Sequence, residues 1–150
     1  MSSDIKTDDT VYDGIIRAAL EAREYAYAPY SEYLVGAALL FPDGSIVTGS
    51  NIENASYGAT VCAERCAVFK AVSSGKKDPV AIAIAGGPRS EREELSDYAY
   101  PCGMCRQVLR EFADPSAFKI IVARSIKDHK EYTLEELLPE SFGPDKLGGK

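Results

Sequence analysis

Residues 80–85 read Val-Ala-Ile-Ala-Ile-Ala, a short and continuous apolar run typical of a strand that is buried on both faces of a sheet. A second run of the same kind covers residues 118–123. A sheet with apolar side chains on both faces must be covered by helices on both faces. These two runs therefore predict the middle of a layered α/β structure.

The segments before the first run predict a helix and a hairpin. Apolar side chains recur at helical spacing over residues 10–27, and Pro29 ends that helix. Residues 34–41 and 46–48 flank Pro42-Asp43-Gly44-Ser45, which is a turn sequence. The amino-terminal third thus predicts one helix followed by two strands.

The remaining segments predict three more helices. One is expected over residues 61–74, and another begins at Pro101 and continues to about residue 113. Thr133 and Glu136 have the spacing of a capping box, which predicts a short final helix over residues 134–138.

Taken together, the elements predict the α/β class: a three-layer mixed sheet of about five strands with helices on both faces. We expect a single domain over residues 1–150. Residues 1–9 are polar, and residues 143–150 are rich in glycine, so we expect both segments to be flexible tails.

Charge and composition exclude several classes of function. The net charge of −6 and the pI of about 4.9 argue against a nucleic-acid partner, because such proteins display clustered Lys and Arg. The start of the sequence lacks the apolar core of a signal peptide, and no apolar run approaches the roughly 18 residues that a membrane span requires. We therefore expect a cytoplasmic protein without a membrane partner.

The cysteines are the strongest functional signal, because in a reducing cytosol clustered cysteines indicate metal binding or catalysis more than disulfides. Cys62 opens one predicted helix, and Cys102 and Cys105 form a Cys-x-x-Cys turn at the start of another. Three thiolates leave one tetrahedral position open, which is the layout of a catalytic zinc site. Glu64 is too close to Cys62 to share the metal comfortably but can reach that open position. Three thiolates overcompensate Zn²⁺, and Arg65 can donate hydrogen bonds that withdraw the excess charge.

These motifs, together with several others, resemble the small homotetrameric zinc-dependent cytidine deaminases. The resemblance covers roughly residues 25–142, in the segments Ala28-Pro29-Tyr30-Ser31, Val35-Gly36-Ala37-Ala38, Asn51-Ile52-Glu53-Asn54-Ala55-Ser56-Tyr57, Cys62-Ala63-Glu64-Arg65, Pro101-Cys102-Gly103, Cys105-Arg106-Gln107 and Leu137-Leu138-Pro139. It implies hydrolysis of free cytidine and deoxycytidine to uridine and deoxyuridine with release of ammonia, as in pyrimidine salvage. It also implies Zn²⁺ as the cofactor and Glu64 as the proton shuttle.

The same resemblance implies a set of substrate contacts: Tyr33, Asn51, Glu53, Tyr57, Ala63 and Phe142. Asn51 and Glu53 are expected to hold the ribose hydroxyls. Phe142 is expected to reach the pyrimidine from a neighbouring subunit of a homotetramer, and Tyr57 to cross a subunit boundary. Tyr33 replaces the Phe that usually stacks on the base, and Tyr100 stands where the family commonly has Ser before Pro-Cys.

Several alternatives remain open at the level of sequence. Cys66 follows Cys62 at a spacing of four residues, so a closed four-thiolate structural zinc site is conceivable. A redox pair at Cys102 and Cys105 is another alternative, and a deaminase of blasticidin S or cytosine is a third. His129 lies in a polar stretch, and we expect an exposed turn residue there rather than a metal ligand.

Charge placement predicts a free nucleoside as substrate. Between Arg23 and Arg65 the sequence contains no Lys or Arg, although most of the expected pocket lies in that span. A phosphate group would find no cation there and would be repelled by Glu53. We therefore expect neither nucleotides nor polynucleotides to be good substrates.

Overall fold

The computed structural model describes residues 9–149, with side chains from residue 11 onward. The helices and strands, in chain order, are α1 (Asp9–Ala22), β1 (Tyr33–Leu40), β2 (Ile46–Ser50), α2 (Ala63–Ser73), β3 (Ala81–Pro88), α3 (Gly103–Phe112), β4 (Lys119–Ala123), β5 (His129–Thr133) and α4 (Leu134–Leu137). Short 3₁₀ helices cover Arg23–Tyr25, Tyr57–Ala59 and Pro144–Leu147. No helix in the described part of the chain is both long enough and apolar enough to cross a lipid bilayer.

The five strands form one mixed sheet in the order β2-β1-β3-β4-β5. β3 and β4 are parallel, and all other neighbouring strands are antiparallel. Parallel neighbours need a crossover, and α3 lies in the connection between β3 and β4. The predicted α/β class and mixed five-stranded sheet are confirmed.

Each face of the sheet packs against different helices. Ile82 and Ile84 of β3 pack with residues of α2 and α3, such as Val68 and Leu109. The alternate residues of β3 are alanines, and they pack against α1 on the other face. The prediction that residues 80–85 are buried on both faces is therefore correct, and the core consists of two layers separated by the sheet.

Two glycines allow the helices to lie very close to the sheet. A Cβ atom on Gly36 would lie 1.9 Å from the Ala19 carbonyl oxygen of α1. A Cβ on Gly49 would lie 2.4 Å from the Ala67 nitrogen and 2.5 Å from the Ala63 oxygen, both in α2. Because these contacts are to backbone atoms, a side chain could be accommodated only by moving the helix. Gly49 thereby sets the position of the amino-terminal end of α2.

The first helix is shorter than the predicted residues 10–27. α1 ends at Ala22, a 3₁₀ turn follows, and Tyr27 is already extended, with its N–H donating to the Asn51 carbonyl at 2.9 Å. The backbone of Tyr27 thus forms hydrogen bonds with residues 51–53 instead of continuing the helix for another turn. The capping box of the final helix is confirmed: the Thr133 N–H donates to Glu136 Oε1 at 2.7 Å, and the Glu136 N–H donates to Thr133 Oγ1 at 3.1 Å.

The expectation that His129 is an exposed turn residue is wrong. This residue is half-buried at the start of β5, and its ring packs edge-on against Tyr12 with centroids 6.3 Å apart. The sequence of β5 is His-Lys-Glu-Tyr-Thr, an edge strand with little apolar content, so hydrophobic pattern alone does not reveal it.

Of the two predicted tails, the structure describes the carboxyl-terminal one, up to residue 149. Residues 1–8 lie outside the described residues. At the other end, Pro144–Leu147 form a 3₁₀ helix, and Arg110 Nη2 lies 2.9 Å from Asp145 Oδ1. The beginning of the carboxyl-terminal segment thus packs on α3, while the mobility of its last residues stays a prediction.

Candidate metal centre and substrate site

The three cysteines of the predicted metal site lie at the amino-terminal ends of two neighbouring helices. Cys62 is the N-cap residue of α2, and Cys102 is the N-cap residue of α3. Cys105 lies in the first turn of α3 and is buried. Free N–H groups and the helix dipole stabilise negative charge at such positions, which suits sulfur ligands of a metal ion.

The sulfur atoms are close enough to share one metal ion. The Sγ atoms of Cys62, Cys102 and Cys105 all lie within 4.8 Å of one another, and those of Cys102 and Cys105 are 3.6 Å apart. Hydrogen bonds from Cys105 and then Arg65 lower the pKa of the Cys62 thiol. Three soft sulfur donors around one point are a ligand set suited to Zn²⁺, and they leave one tetrahedral position without a protein ligand. The donor set therefore fits zinc.

Cys66 does not belong to this group. Within residues 9–149, the cluster that could hold a metal comprises three cysteines, and Cys66 is not among them. The i, i+4 argument fails because Cys62 precedes the helix in an extended conformation, with φ −72° and ψ 157°. Cys66 instead lines a separate groove beside Tyr25 and Ile52, so the geometry favours the three-thiolate site over the four-thiolate alternative.

Arg65 lies against the sulfur cluster, as its spacing from Cys62 predicted. Its Nη2 is 3.5 Å from Cys62 Sγ, and this hydrogen bond raises the pKa of Arg65. The Arg65 Nε atom is buried and has no hydrogen-bond partner in the structure. The contact between the guanidinium and the cluster is therefore made by Nη2, in a geometry that suits a hydrogen bond to a thiolate.

Glu64 is a buried carboxylate in the first turn of α2. Only 4% of its surface is exposed. Burial raises the pKa of Glu64 to about 7, and the nearby Cys62 charge acts in the same direction. A carboxyl group that both takes up and releases a proton near neutral pH is suited to general acid–base chemistry.

Asn51 and Glu53 follow β2 and lie beside the loop that precedes β1. The Asn51 side chain spans the start of β1: Nδ2 donates to the Tyr33 carbonyl at 2.9 Å, and Oδ1 accepts from the Val35 N–H at 2.9 Å. Glu53 Oε1 accepts from the Tyr30 N–H at 3.0 Å and the Ser31 N–H at 3.2 Å. The Ser31 hydroxyl contacts Glu53 Oε2 and lowers the pKa of that carboxyl group. Both polar side chains are therefore held rigidly.

The surrounding structure accommodates the two tyrosines that depart from the family pattern, Tyr33 and Tyr100. Tyr33 begins β1, and its ring lies near the position that a Cβ on Gly86 would take, 3.2 Å away. Burial raises the pKa of the Tyr33 hydroxyl. The Tyr100 hydroxyl, at the second departure from the family pattern, meets the Tyr132 hydroxyl of β5 at 3.2 Å. Ala63 is fully buried, and its side chain packs in the core.

Tyr57 and Phe142 project into solvent. Tyr57 is 77% exposed and Phe142 is 58% exposed. The Phe142 carbonyl accepts a hydrogen bond from Gln107 of α3 at 2.9 Å, which fixes the backbone while leaving the ring outside. The chain thus exposes both rings on its surface.

Ser31 and Arg106, which belong to the family-like motifs but are not among the predicted substrate contacts or metal ligands, have definite structural roles. Ser31 supports Glu53, as described above. Arg106 joins the Pro-Cys turn to the end of α4, because its Nε donates to the Pro101 carbonyl at 2.7 Å and its Nη1 donates to the Leu137 carbonyl at 2.6 Å. The only signal for either residue in the sequence is its place beside a predicted site residue.

Comparison with known proteins gives consistent matches. The profile of the cytidine and deoxycytidylate deaminase zinc-binding region matches residues 10–121. The cytidine deaminase of Halalkalibacterium halodurans is 48% identical over 133 residues, which are 89% of this chain and 95% of that protein. The cytidine deaminase of Sporosarcina psychrophila is 43% identical over 136 residues, covering 89% and 92%. A 1.6 Å crystal structure of cytidine deaminase from Burkholderia pseudomallei superposes with a TM-score of 0.76 at 41% identity, covering 86% of this chain and 97% of that one.

Proposed function

Because this chain belongs to the family of the cytidine and deoxycytidylate deaminase zinc-binding region, we propose that it is a zinc-dependent cytidine deaminase. The reaction adds water at C4 of cytidine or deoxycytidine and releases ammonia, leaving uridine or deoxyuridine. The observation that supports this most directly is the buried Glu64 beside three cysteine sulfurs at two helix termini.

The three cysteines are the proposed zinc ligands. Bound zinc supplies the Lewis acidity that makes water a nucleophile at neutral pH. Cys62, Cys102 and Cys105 leave one side of the cluster without a protein ligand, and Glu64 follows Cys62 by two residues at the start of the same helix. This arrangement supports a catalytic site rather than a closed structural site.

Glu64 is the proposed proton shuttle. Its carboxylate would take a proton from the attacking water and deliver it to ring N3, and would then take the proton of the new C4 hydroxyl and deliver it to the departing amine. Each transfer requires a group that is neither permanently ionised nor permanently neutral near pH 7, and the burial of Glu64 supports that behaviour.

Arg65 is proposed to adjust the charge of the site. Three thiolates carry one negative charge more than Zn²⁺ can neutralise, which weakens the polarisation of water. A guanidinium 3.5 Å from Cys62 Sγ withdraws part of that charge by hydrogen bonding. Removing it is expected to lower turnover more than substrate binding.

The proposed substrate is a free nucleoside. Asn51 and Glu53 would bind ribose hydroxyls, with Tyr33 against the pyrimidine and the backbone of Ala63 beside it. Glu53 is anionic, and residues 24–64 contain no Lys or Arg. Comparable kcat/KM values for cytidine and CMP would refute this preference, and so would efficient deamination of a single-stranded oligonucleotide.

We further propose a homotetramer whose active sites are shared between subunits. Exposed apolar side chains support this: Tyr25, Ile52 and Phe69 are 82%, 43% and 50% exposed. Tyr25 and Ile52 line a groove of about 410 Å³. Large exposed apolar surfaces mark contacts with other proteins, and a second copy would cover this one. Tyr57 and Phe142 would then approach the substrate of an adjacent subunit.

The cytoplasm is the proposed location, on redox grounds. The four cysteines are free thiols in the structure. The Cys102 and Cys105 sulfurs are 3.6 Å apart, so an oxidising compartment would favour their pairing and the loss of two metal ligands. A reducing compartment preserves the site.

The decisive experiment is an ultraviolet assay of cytidine loss together with metal analysis of the pure protein. We expect about one zinc per chain, turnover of cytidine, and loss of both after prolonged chelation. Turnover that survives complete removal of the metal would refute the proposed mechanism.

A further inference from the structure

The turn formed by residues 28–32 is fastened directly to the segment that contains Glu53. The Tyr27 N–H donates to the Asn51 carbonyl at 2.9 Å, and the Glu53 N–H donates to the Tyr27 carbonyl at 2.8 Å. The chain then turns back, closed by a hydrogen bond from the Glu32 N–H to the Ala28 carbonyl at 3.0 Å. This geometry brings Ser31 over the Glu53 carboxylate.

The Ser31 hydroxyl has two hydrogen-bond partners, and their chemistry determines which of them receives its proton. Ser31 Oγ accepts a hydrogen bond from the Tyr33 N–H at 3.0 Å. Its own proton is therefore donated to Glu53 Oε2, which can only accept when ionised. One hydroxyl thus connects the proposed ribose-binding carboxylate to the first residue of β1, whose ring is proposed to stack on the base.

The two carboxylate oxygens of Glu53 are not equivalent. Oε1 receives two backbone donors, the N–H groups of Tyr30 and Ser31, which occupy both of its lone pairs. Oε2 receives only the Ser31 hydroxyl and keeps one lone pair open. Oε2 is consequently the oxygen that can accept a hydroxyl proton from a substrate, and Ser31 determines where its open lone pair points.

We propose that Ser31 is a positioning residue, which aims Glu53 Oε2 at the sugar and holds Tyr33 at a set distance from it, so that sugar and base are bound as one unit. This inference rests on the proposed function, since it needs Glu53 and Tyr33 to contact a nucleoside. It assigns to Ser31 the role of coupling the sugar contact of Glu53 to the base contact of Tyr33.

The first test compares Ser31→Ala with Ser31→Thr. In Ser31→Ala, Oε2 loses its donor and the Tyr33 N–H loses its acceptor, so KM for cytidine should rise about 10-fold, the effect of one charge-assisted hydrogen bond. The value of kcat should change less than about twofold, because a ribose contact is made equally in ground and transition states. Ser31→Thr keeps the hydroxyl in an exposed turn and should restore KM.

A matched control is available in Ser45→Ala. Ser45 also donates its hydroxyl to a carboxylate, Asp43 Oδ1 at 2.6 Å, and lies in the exposed hairpin turn between β1 and β2. That variant loses a hydrogen bond of the same chemical type and should keep the wild-type KM.

The second test is a double-mutant cycle with Glu53→Ala. If Ser31 acts mainly through Glu53, the double variant should have nearly the KM of Glu53→Ala alone, because the loss through Glu53 is already complete and only the acceptor of the Tyr33 N–H remains to be removed. Multiplicative losses in KM would overturn the proposal, as would a Ser31→Ala variant with a lower Tm but unchanged KM.

The outcomes also separate this inference from the function on which it rests. Absence of cytidine turnover by the zinc-loaded wild-type protein would refute both. Normal wild-type turnover with an unaffected Ser31→Ala variant would refute only the role of Ser31.

Discussion

Replacing Gly49 by Ala tests whether close packing of α2 on β2 positions the catalytic groups. The new Cβ would lie 2.4 Å from the Ala67 nitrogen and 2.5 Å from the Ala63 oxygen. Ordinary van der Waals contact begins near 3.4 Å. Because the opposing atoms are backbone, relief requires α2 to move away from the strand by the difference, about 1 Å.

That displacement has two expected consequences. Ala63 is the first residue of α2, so the shift moves Cys62 and Glu64 with it. Misplacing a catalytic group by about 1 Å can cost on the order of 10²-fold in rate, and we expect a loss of kcat/KM of that size. Overpacking also costs about 1–3 kcal/mol, which corresponds to a Tm lower by roughly 3–10 °C for a protein of this size.

The measurements are kcat/KM for cytidine, zinc content and Tm, with Gly14→Ala as the matched control. Gly14 lies in α1, is exposed, and has no atom within 4 Å of an added Cβ. That substitution should leave turnover unchanged and stabilise the protein by about 0.5–1 kcal/mol through better helix propensity. A Gly49→Ala variant with wild-type Tm and wild-type kcat/KM would refute the idea that this contact positions the site.

Three further predictions concern the site itself. Glu64→Gln should fold and keep zinc but lose about 10⁴-fold in kcat, the upper end for a removed general acid–base, because Glu64 serves several proton transfers; near-normal turnover would exclude that role. Cys66→Ala should retain zinc and activity whereas Cys102→Ala loses zinc, and metal analysis that shows the reverse would revive the four-thiolate site. Phe142→Ala should raise KM for cytidine with little change in kcat if the ring contacts substrate, and a fully active monomer in size-exclusion chromatography would contradict a shared site.

The strands illustrate what a hydrophobic pattern can and cannot reveal. The apolar runs at residues 80–85 and 118–123 are buried on both faces, so their composition alone indicated β3 and β4. β5 is held by backbone pairing with β4 at the sheet edge, and its side chains are mostly polar. The N–H and C=O groups that pair β5 with β4 are present in every residue, so this pairing leaves no mark on the sequence.

The end of the first helix shows a competition that is invisible in the sequence. Local spacing favours helix up to residue 27, yet Tyr27 pairs with residues 51–53 instead. A long-range backbone pairing therefore overrides local propensity, which is a weak determinant. The same pairing fastens the turn that places Ser31 on Glu53.

The sequence alone indicated the proposed zinc ligands and the proposed proton shuttle, because zinc chemistry requires particular side-chain types at helix starts and these are visible as letters: Cys62, Glu64, Cys102 and Cys105. Only the tertiary structure decided that Cys66 lies outside the metal cluster, since the extended backbone of Cys62 removes it from the helical face of Cys66. The hydrogen-bond partners of Asn51, Glu53 and Ser31 also became visible only in the tertiary structure. Their hydrogen bonds join segments that are distant in sequence, and such pairs are set by the packing of helices on the sheet rather than by any local pattern.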